Sequence, residues 1–392
     1  MSQGNNKPRR VLLLIDDLSC GGAQQLAISL AIELRRQGRH ALVAALHPQE
    51  ELAPRLRAAG VPYICFGKPR PSILTPWRFA GYVLSCLAAI RRIIRDEGVE
   101  FISAHLSDAE FLGLAASWLD RTVSTMVTVH TPHPLPVRPP YDPRNGLRVW
   151  LTRRLFNGAF AVAPVSEEIA LVLREVFGIN PRVLRVITNG VDTAALTAQT
   201  IPAQLTDAQR PPDGLVLCNV GRLAHQKNQA VLFAVLARLQ ERGIASTLLI
   251  AGEGELRQTL AEQCAAAGLS DRVFFLGRRE DVAAVIAASD IFVLPSWNEG
   301  ASLALLEAMA VGRPIVASDV PGNRDILRHE ETALLCPPDD PDAIAAAIAR
   351  LTTAPDLARR LTAAAQREVR EKYDISTTAA AYAALWDASL TR

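Results

Sequence analysis

The stretch LTAQTIPAQLTDAQRPPDG, residues 196–214, is polar and carries Pro202, Pro211 and Pro212. It runs directly into LVLCNVG, residues 215–221, which is almost continuously apolar and ends on a glycine. The first segment reads as a linker, because prolines remove backbone donors and the rest offers little to bury. The second reads as a parallel strand, since a strand covered on both faces loses polar alternation. A linker followed by a new strand divides the chain in two.

The pattern on either side agrees. Upstream, VLLLI (11–15), ALVAAL (41–46), VPYICF (61–66), EFISAH (100–105), STMVTVH (124–130), AFAVAPVS (159–166) and VLRVITNG (183–190) read as strands. Helical patterns lie between them, such as QQLAISLAIELRRQG (24–38), with Gly38 as its cap. Downstream, STLLIAG (246–252), RVFFLG (272–277), DIFVLP (290–295), RPIVAS (313–318) and TALLC (332–336) continue the alternation. Two such series predict an α/β protein of two doubly wound, Rossmann-like domains. The expected limits are 1–195 and 214–372, with a linker at 196–213 and a last helix in 373–392. A chain of 392 residues also exceeds the size at which one core usually stops growing, about 250–300 residues.

Composition narrows the class. Hydrophobic residues make up 49% and charged residues 21%, which is ordinary for a soluble globular protein. Residues 1–200 hold 23 Lys+Arg against 16 Asp+Glu, and residues 201–392 hold 19 against 24. A basic first half can meet phosphates or an anionic membrane, although drift in surface charge is the plainer source of that number alone. The six cysteines are too scattered for a zinc or redox motif and fit a reducing compartment. MSQGNNKPRR does not read as a signal peptide, and the apolar run FAGYVLSCLAAI (79–90) is too short to span a bilayer.

Ligands of doubly wound sheets bind beyond the carboxyl ends of the strands, so the strand-to-helix turns are the places to search. In DDLSCGGAQQL (16–26), Gly21 and Gly22 open a helix and let backbone N–H groups approach an anion; a simple tight turn fits equally well. His130 ends a strand, where a side chain points into a crevice or merely caps; His133 sits in a proline-rich loop. In NVGRLAHQKNQ (219–229), Arg222 and Lys227 flank a turn and suit a diphosphate, the guanidinium as a fork and the ammonium as a point charge. Solvated charge is the alternative, but Lys227 is one of only four lysines among 42 basic residues. In IAGEGELRQTL (250–260), two glycines after a strand admit a ligand backbone or merely make a turn, and Glu253 and Glu255 read as turn residues.

WNEGASLALLEAMA (297–310) carries Glu299 and Glu307 eight positions apart. On one continuous helix they would lie roughly 80° apart, poor alignment for a shared site. Pro295 and Gly300 argue that the helix starts later, with Ser302 as N-cap. Glu299 then lies in a loop and Glu307 in the second turn, each able to hold a separate part of a long ligand. Solvation of both is the plainer alternative.

The order of the motifs GGAQQ, TVH, PVSEEI, ITNGVDT, GRLAHQKN, AGEGE, FLGRRED and PSWNEGASLALLEAMAVGRPIVASDVPG resembles glycosyltransferase family 4 along nearly the whole chain. The resemblance implies the GT-B architecture, two Rossmann-like domains facing across a cleft. It implies a nucleotide-sugar donor held by the C-terminal domain, an acceptor on the N-terminal domain, retention of anomeric configuration, and no metal or other cofactor. Carried over, Arg222 and Lys227 neutralise the departing diphosphate, and Glu307 accepts hydrogen bonds from the ribose. Glu299 binds sugar hydroxyls, helped by backbone N–H groups of Ala301, Ser302 and Leu303. Gly21 and Gly22 admit the diphosphate or acceptor to the first helix, and His130 contacts the transferred sugar. No protein nucleophile is nominated. The sequence departs from the family at PGNRDIL (321–327), where relatives often carry a glycine pair and a glutamate, and at EGASLA, where many carry an aromatic residue after the glycine.

The expected partners are a nucleotide sugar and a glycan, lipid-linked or small-molecule acceptor of polysaccharide or glycoconjugate biosynthesis, with no nucleic acid. The expected location is the cytoplasm, with peripheral contact at the inner face of the plasma membrane. LRVWLTRRLF (147–156) has the basic amphipathic look of a membrane-surface helix, though core packing of its apolar side explains it too. WRFAGYVLSCLAAIRRIIR (77–95) reads as a helix packed inside the domain. The rival readings are a nucleotide-sugar epimerase on the same architecture and a non-catalytic nucleotide-sugar or membrane-binding protein.

Overall fold

A computed structural model of the chain describes residues 10–131, 143–198, 201–210 and 213–389. His133 and most of the proline-rich loop after it lie outside the described residues. The chain forms two compact units, residues 1–189 with 375–392, and residues 190–374. The first division therefore falls before residue 195. The described part of the expected linker belongs to the second unit: Ala203 N–H donates to Ala284 O (3.0 Å), and Thr247 Oγ1 donates to Gln209 O (2.7 Å).

The first unit is built on strands β1 (Arg10–Ile15), β2 (His40–Ala45), β3 (Tyr63–Cys65), β4 (Val99–His105), β5 (Ser124–Val129) and β6 (Ala161–Pro164). They form one parallel sheet in the order β3-β2-β1-β4-β5-β6. Strand alternation splits the core into two layers. Leu13, Ile15 and Val43 pack with the helix Gly22–Arg36 and with Tyr382 and Trp386 of the last helix, Ile375–Ser389. Leu12, Leu14 and Leu42 pack on the opposite face with Cys86, Ile90 and Ile94 of the helix Pro76–Glu97. The last helix is also tied by Arg39 to Asp387 (3.0 and 2.9 Å) and by Thr128 Oγ1 to Tyr382 OH (3.1 Å).

One expected strand is not a strand. Residues 183–190 make only an isolated bridge, Leu184 to Val162. Val162 exchanges bonds with Val183 O and Arg185 N–H, and Ile187 N–H donates to Pro164 O at 3.1 Å. Pro164 has no N–H to return, so the ladder stops there.

The second unit repeats the plan with β7 (Leu215–Val220), β8 (Ser246–Ala251), β9 (Val273–Gly277), β10 (Ile291–Leu294), β11 (Ile315–Ser318) and β12 (Leu334–Cys336). The order is β12-β11-β10-β7-β8-β9, again parallel. Both sheets reverse their strand order beside their first strand, and at such a point the helices that follow neighbouring strands leave on opposite faces and open a crevice. In the second unit that point lies between β7 and β10, which carry GRLAHQK and PSWNEG at their ends.

Candidate active site

The turn after β7 is shaped by backbone requirements. Gly252 (φ +146°) lies so close to Gly221 that a Cβ there would collide with the Gly221 carbonyl. Residues His225–Lys227 form one 3-10 turn, closed by Asn228 in the left-handed region (φ 51°). Asn228 is held there by donating to Pro295 O (3.3 Å) and Pro338 O (2.9 Å). The same turn receives Trp297 N–H at Gln226 O (2.9 Å), and the Trp297 ring lies 4.4 Å from that of His225. The two strand ends are thus stitched together before any ligand is considered.

This brings Lys227 to Glu299 across 72 residues of sequence. Lys227 Nζ lies 2.6 and 2.8 Å from the two carboxylate oxygens. Ser296 Oγ donates to Glu299 Oε1 at 2.6 Å. Both charged side chains are largely buried, 15% and 6% exposed. A buried ion pair is kept only where geometry and additional hydrogen bonds offset desolvation, and this one has both.

Arg222 follows a different course. Its side chain is 71% exposed and pairs at 3.0 and 3.2 Å with Glu255, a residue of the turn after β8. Its own backbone amide and Arg222 hold the Glu255 carboxyl below the usual range. Glu307 occupies the second turn of the helix Leu303–Val311 and is half-buried. Ser302 is the N-cap residue, as expected, but its side chain makes no capping hydrogen bond. The first-turn amides are therefore not closed off by that hydroxyl, the arrangement that suits an incoming anion.

The loop PGNRD, where the sequence departs from the family pattern, keeps one glycine that matters. A Cβ on Gly322 would collide with the carbonyl of Glu299 and press on that of Gly300. Asn323 braces the loop by donating to Ser318 O (2.9 Å), and Ser318 Oγ donates to Ser296 O (2.5 Å). Gly322 lay outside the expected site because nothing local distinguishes it from other turn glycines.

In the first unit, Gly21 caps the helix Gly22–Arg36 with extended backbone and no side-chain bond. The strand before it ends at Ile15, so the glycines follow a longer turn, held by Gln24 Nε2 donating to Asp17 Oδ1 (2.9 Å). His130 follows β5 directly. Its Nε2 lies 3.1 Å from His105 Nδ1, and His105 Nε2 lies 3.0 Å from Ser103 Oγ. Tyr382 stacks over His105. Burial lowers the His130 pKa to about 4 and pushes His105 well down, so both rings are neutral at neutral pH.

A second polar cluster, absent from the sequence expectations, gathers at the ends of β1 and β2. Asp108 accepts from Arg70 Nε (2.8 Å) and Tyr82 OH (3.3 Å), with His47 Nε2 at 3.6 Å. Asp16 Oδ1 accepts from Ala109 N–H at 2.8 Å. Burial pushes its carboxyl up to about 7. Among the described residues no group of three or more His, Cys, Asp or Glu side chains is placed to hold a metal ion.

Comparison with known proteins agrees with the two parallel six-stranded sheets. Residues 20–195 match the model of Glycosyltransferase Family 4, and residues 202–368 match that of Glycosyl transferases group 1. The chain belongs to glycosyltransferase family 4. It is 27% identical to the Escherichia coli UDP-Gal:alpha-D-GlcNAc-diphosphoundecaprenol alpha-1,3-galactosyltransferase, over 69% of this chain and 70% of that enzyme. It is 29% identical to the D-inositol 3-phosphate glycosyltransferase of Corynebacterium efficiens, over 84% and 82%. The Anabaena HepE structure in complex with UDP and glucose superposes with a TM-score of 0.79 at 21% identity, covering 97% of this chain and 100% of that one, and establishes the GT-B fold. This glycosyltransferase therefore carries its Lys227–Glu299 pair at the strand-order reversal of the second GT-B domain.

Proposed function

We propose that this enzyme transfers a sugar from a uridine diphosphate sugar to a glycan or lipid-linked acceptor, with retention of configuration and without a metal ion, while in peripheral contact with an anionic membrane. The observation that carries the reading is the buried Lys227–Glu299 pair at the reversal between β7 and β10. An ammonium already fixed by a carboxylate needs no reorganisation when charge develops on a leaving diphosphate. Glu299 holds sugar hydroxyls with the oxygen surface that Lys227 and Ser296 leave open, Arg222 swings between Glu255 and phosphate, and Glu307 takes the ribose.

In the proposed step the bond between the anomeric carbon and the β-phosphate oxygen breaks, and the electron pair leaves with the diphosphate. The acceptor oxygen forms its bond on the same face, and its proton passes to the departing phosphate. Lys227, Arg222 and the first-turn amides after Ser302 stabilise the added charge; no protein nucleophile takes part. The UDP ligand of HepE and the UDP-galactose and diphosphoundecaprenol named for the E. coli relative support the donor and acceptor classes.

The test is product analysis with purified protein, a panel of nucleotide sugars and short lipid diphosphate acceptors. Release of UDP, an α-linked product from an α-linked donor by NMR, and unchanged rate in chelator support the reading. Inverted product or loss of rate on chelation removes those parts of it. Isomerised donor without transfer would favour an epimerase.

A further inference from the structure

The helix Pro76–Glu97 was expected to be packed inside the domain, yet only one side of it is. Tyr82, Cys86, Ile90, Ile93 and Ile94 are buried against the sheet. The other side carries Trp77, Gly81, Leu84, Ala88, Arg91, Arg92 and Arg95, all exposed. At 100° per residue these fall within one stripe roughly 120° wide, and at 1.5 Å per residue Trp77 to Arg95 spans about 27 Å. Trp77 is 72% exposed and Leu84 67%; just before the helix, Ile73 is 65% and Leu74 89% exposed. Large side chains of this kind grouped at one end of a helix differ from apolar residues scattered singly.

The charge around the stripe says what it meets. Along the helix from Pro76 to Arg95 the charged residues are Arg78, Arg91, Arg92 and Arg95, with no Asp or Glu. The acids at the basic end are Asp96, beside Arg95 at 3.3 Å, Glu97, beside Arg10 at 3.5 Å, Glu100, exposed just past the helix, and Asp120, whose carboxyl is lowered mainly by Thr122 and only slightly by Arg91. An apolar end bearing tryptophan, followed by arginines, matches a bilayer interface: Trp and Leu enter the boundary of headgroups and acyl chains while arginine meets anionic headgroups. A protein partner would need a surface that is apolar at one end and acidic at the other over the same length.

We infer that this glycosyltransferase docks on anionic lipid bilayers through Ile73, Leu74, Trp77 and Leu84, with Arg91 and Arg92 on the headgroups. The inference rests on the proposed peripheral membrane contact and assigns it to this face. The segment LRVWLTRRLF is the lesser surface: Trp150 and Leu151 are exposed, but Thr152 and Phe156 are buried.

The experiment is flotation of the full chain with phosphatidylcholine vesicles and with vesicles containing about one third phosphatidylglycerol. The variants are Leu74→Glu/Trp77→Glu and Arg91→Glu/Arg92→Glu. The wild type is expected to bind anionic vesicles at least tenfold more tightly than neutral ones, with the difference shrinking in high salt. Both double variants are expected to lose at least tenfold of that binding while donor hydrolysis and melting temperature stay unchanged. Undiminished vesicle binding by both variants overturns the assigned face and leaves the membrane contact standing. No binding by the wild type overturns both. A wild-type dimer in solution that Leu74→Glu/Trp77→Glu dissociates, with vesicle binding unaffected, also overturns the inference.

Discussion

Replacing Lys227 by alanine probes the centre of the proposed site, and its effect can be sized from the structure. Glu299 would keep Ser296 Oγ but lose both contacts to the ammonium while remaining only 6% exposed. Breaking a fully buried pair costs about 3–5 kcal/mol. The Lys227 side chain is 15% exposed, and its removal lets water reach the carboxylate, so about 2–3 kcal/mol of stability is expected to be lost here. A charged hydrogen bond lost from the transition state is worth about 1.5–3 kcal/mol, which lowers kcat/KM by roughly 10- to 150-fold. Glu299→Gln and the double variant complete a cycle. Because the two groups touch, a coupling of at least about 1 kcal/mol is expected in denaturant midpoints, against additivity within about 0.5 kcal/mol for independent sites. UDP release from the preferred donor supplies the kinetic arm. Folded Lys227→Ala with wild-type turnover would refute the assignment of this pair to diphosphate stabilisation, and an additive cycle would refute the coupling of the two side chains.

Other outcomes follow from the same geometry. Gly322→Ala must push its loop off the Glu299 and Gly300 carbonyls, so donor KM should rise and stability fall by about 1–3 kcal/mol, read by donor titration and melting. Glu307→Ala removes a half-buried carboxylate on a helix turn; donor KM should rise about tenfold with little change in melting temperature, and an unchanged KM would free Glu307 from the ribose role. Asp16 has a folded pKa of about 7 against an ordinary 3.8, so the folded state binds the extra proton. Its contribution is therefore full below about pH 4 and is lost as pH rises through 7. Asp16→Asn should gain stability over the wild type at pH 8 and not below pH 4; equal pH profiles would remove the buried acid from the account. For His130 the shift is opposite, from 6.5 to about 4, so its neutral ring favours folding above 6.5 and that advantage is lost as pH falls toward 4. His130→Gln should flatten that acid limb in melts between pH 7 and 4.

Much of the fold was readable because its signals are local. Apolar runs, helix periods and the proline-marked segment before Leu215 each lie within a few residues of one another, and they sufficed for two doubly wound domains. The strand reading failed at 183–190, where the pattern was apolar enough but the neighbouring strand ends in a proline with no N–H to share. The units divide at 189/190 rather than at 195, and the polar segment did not mark the place because such a segment looks the same whether it crosses between units or lies along one of them.

By itself the amino-acid sequence determined the alternating α/β plan, the turns that follow β7 and β10, and the presence there of Arg222, Lys227, Glu299 and Glu307. Tertiary structure alone decided that Lys227 grips Glu299 while Arg222 turns to Glu255, that Gly322 must stay bare beneath the Glu299 carbonyl, and that one flank of the helix Pro76–Glu97 meets solvent. The physical reason is distance along the chain. Hydrophobic periodicity is written within a helical turn or two, whereas these contacts join residues that only the crossover order of a parallel sheet makes neighbours.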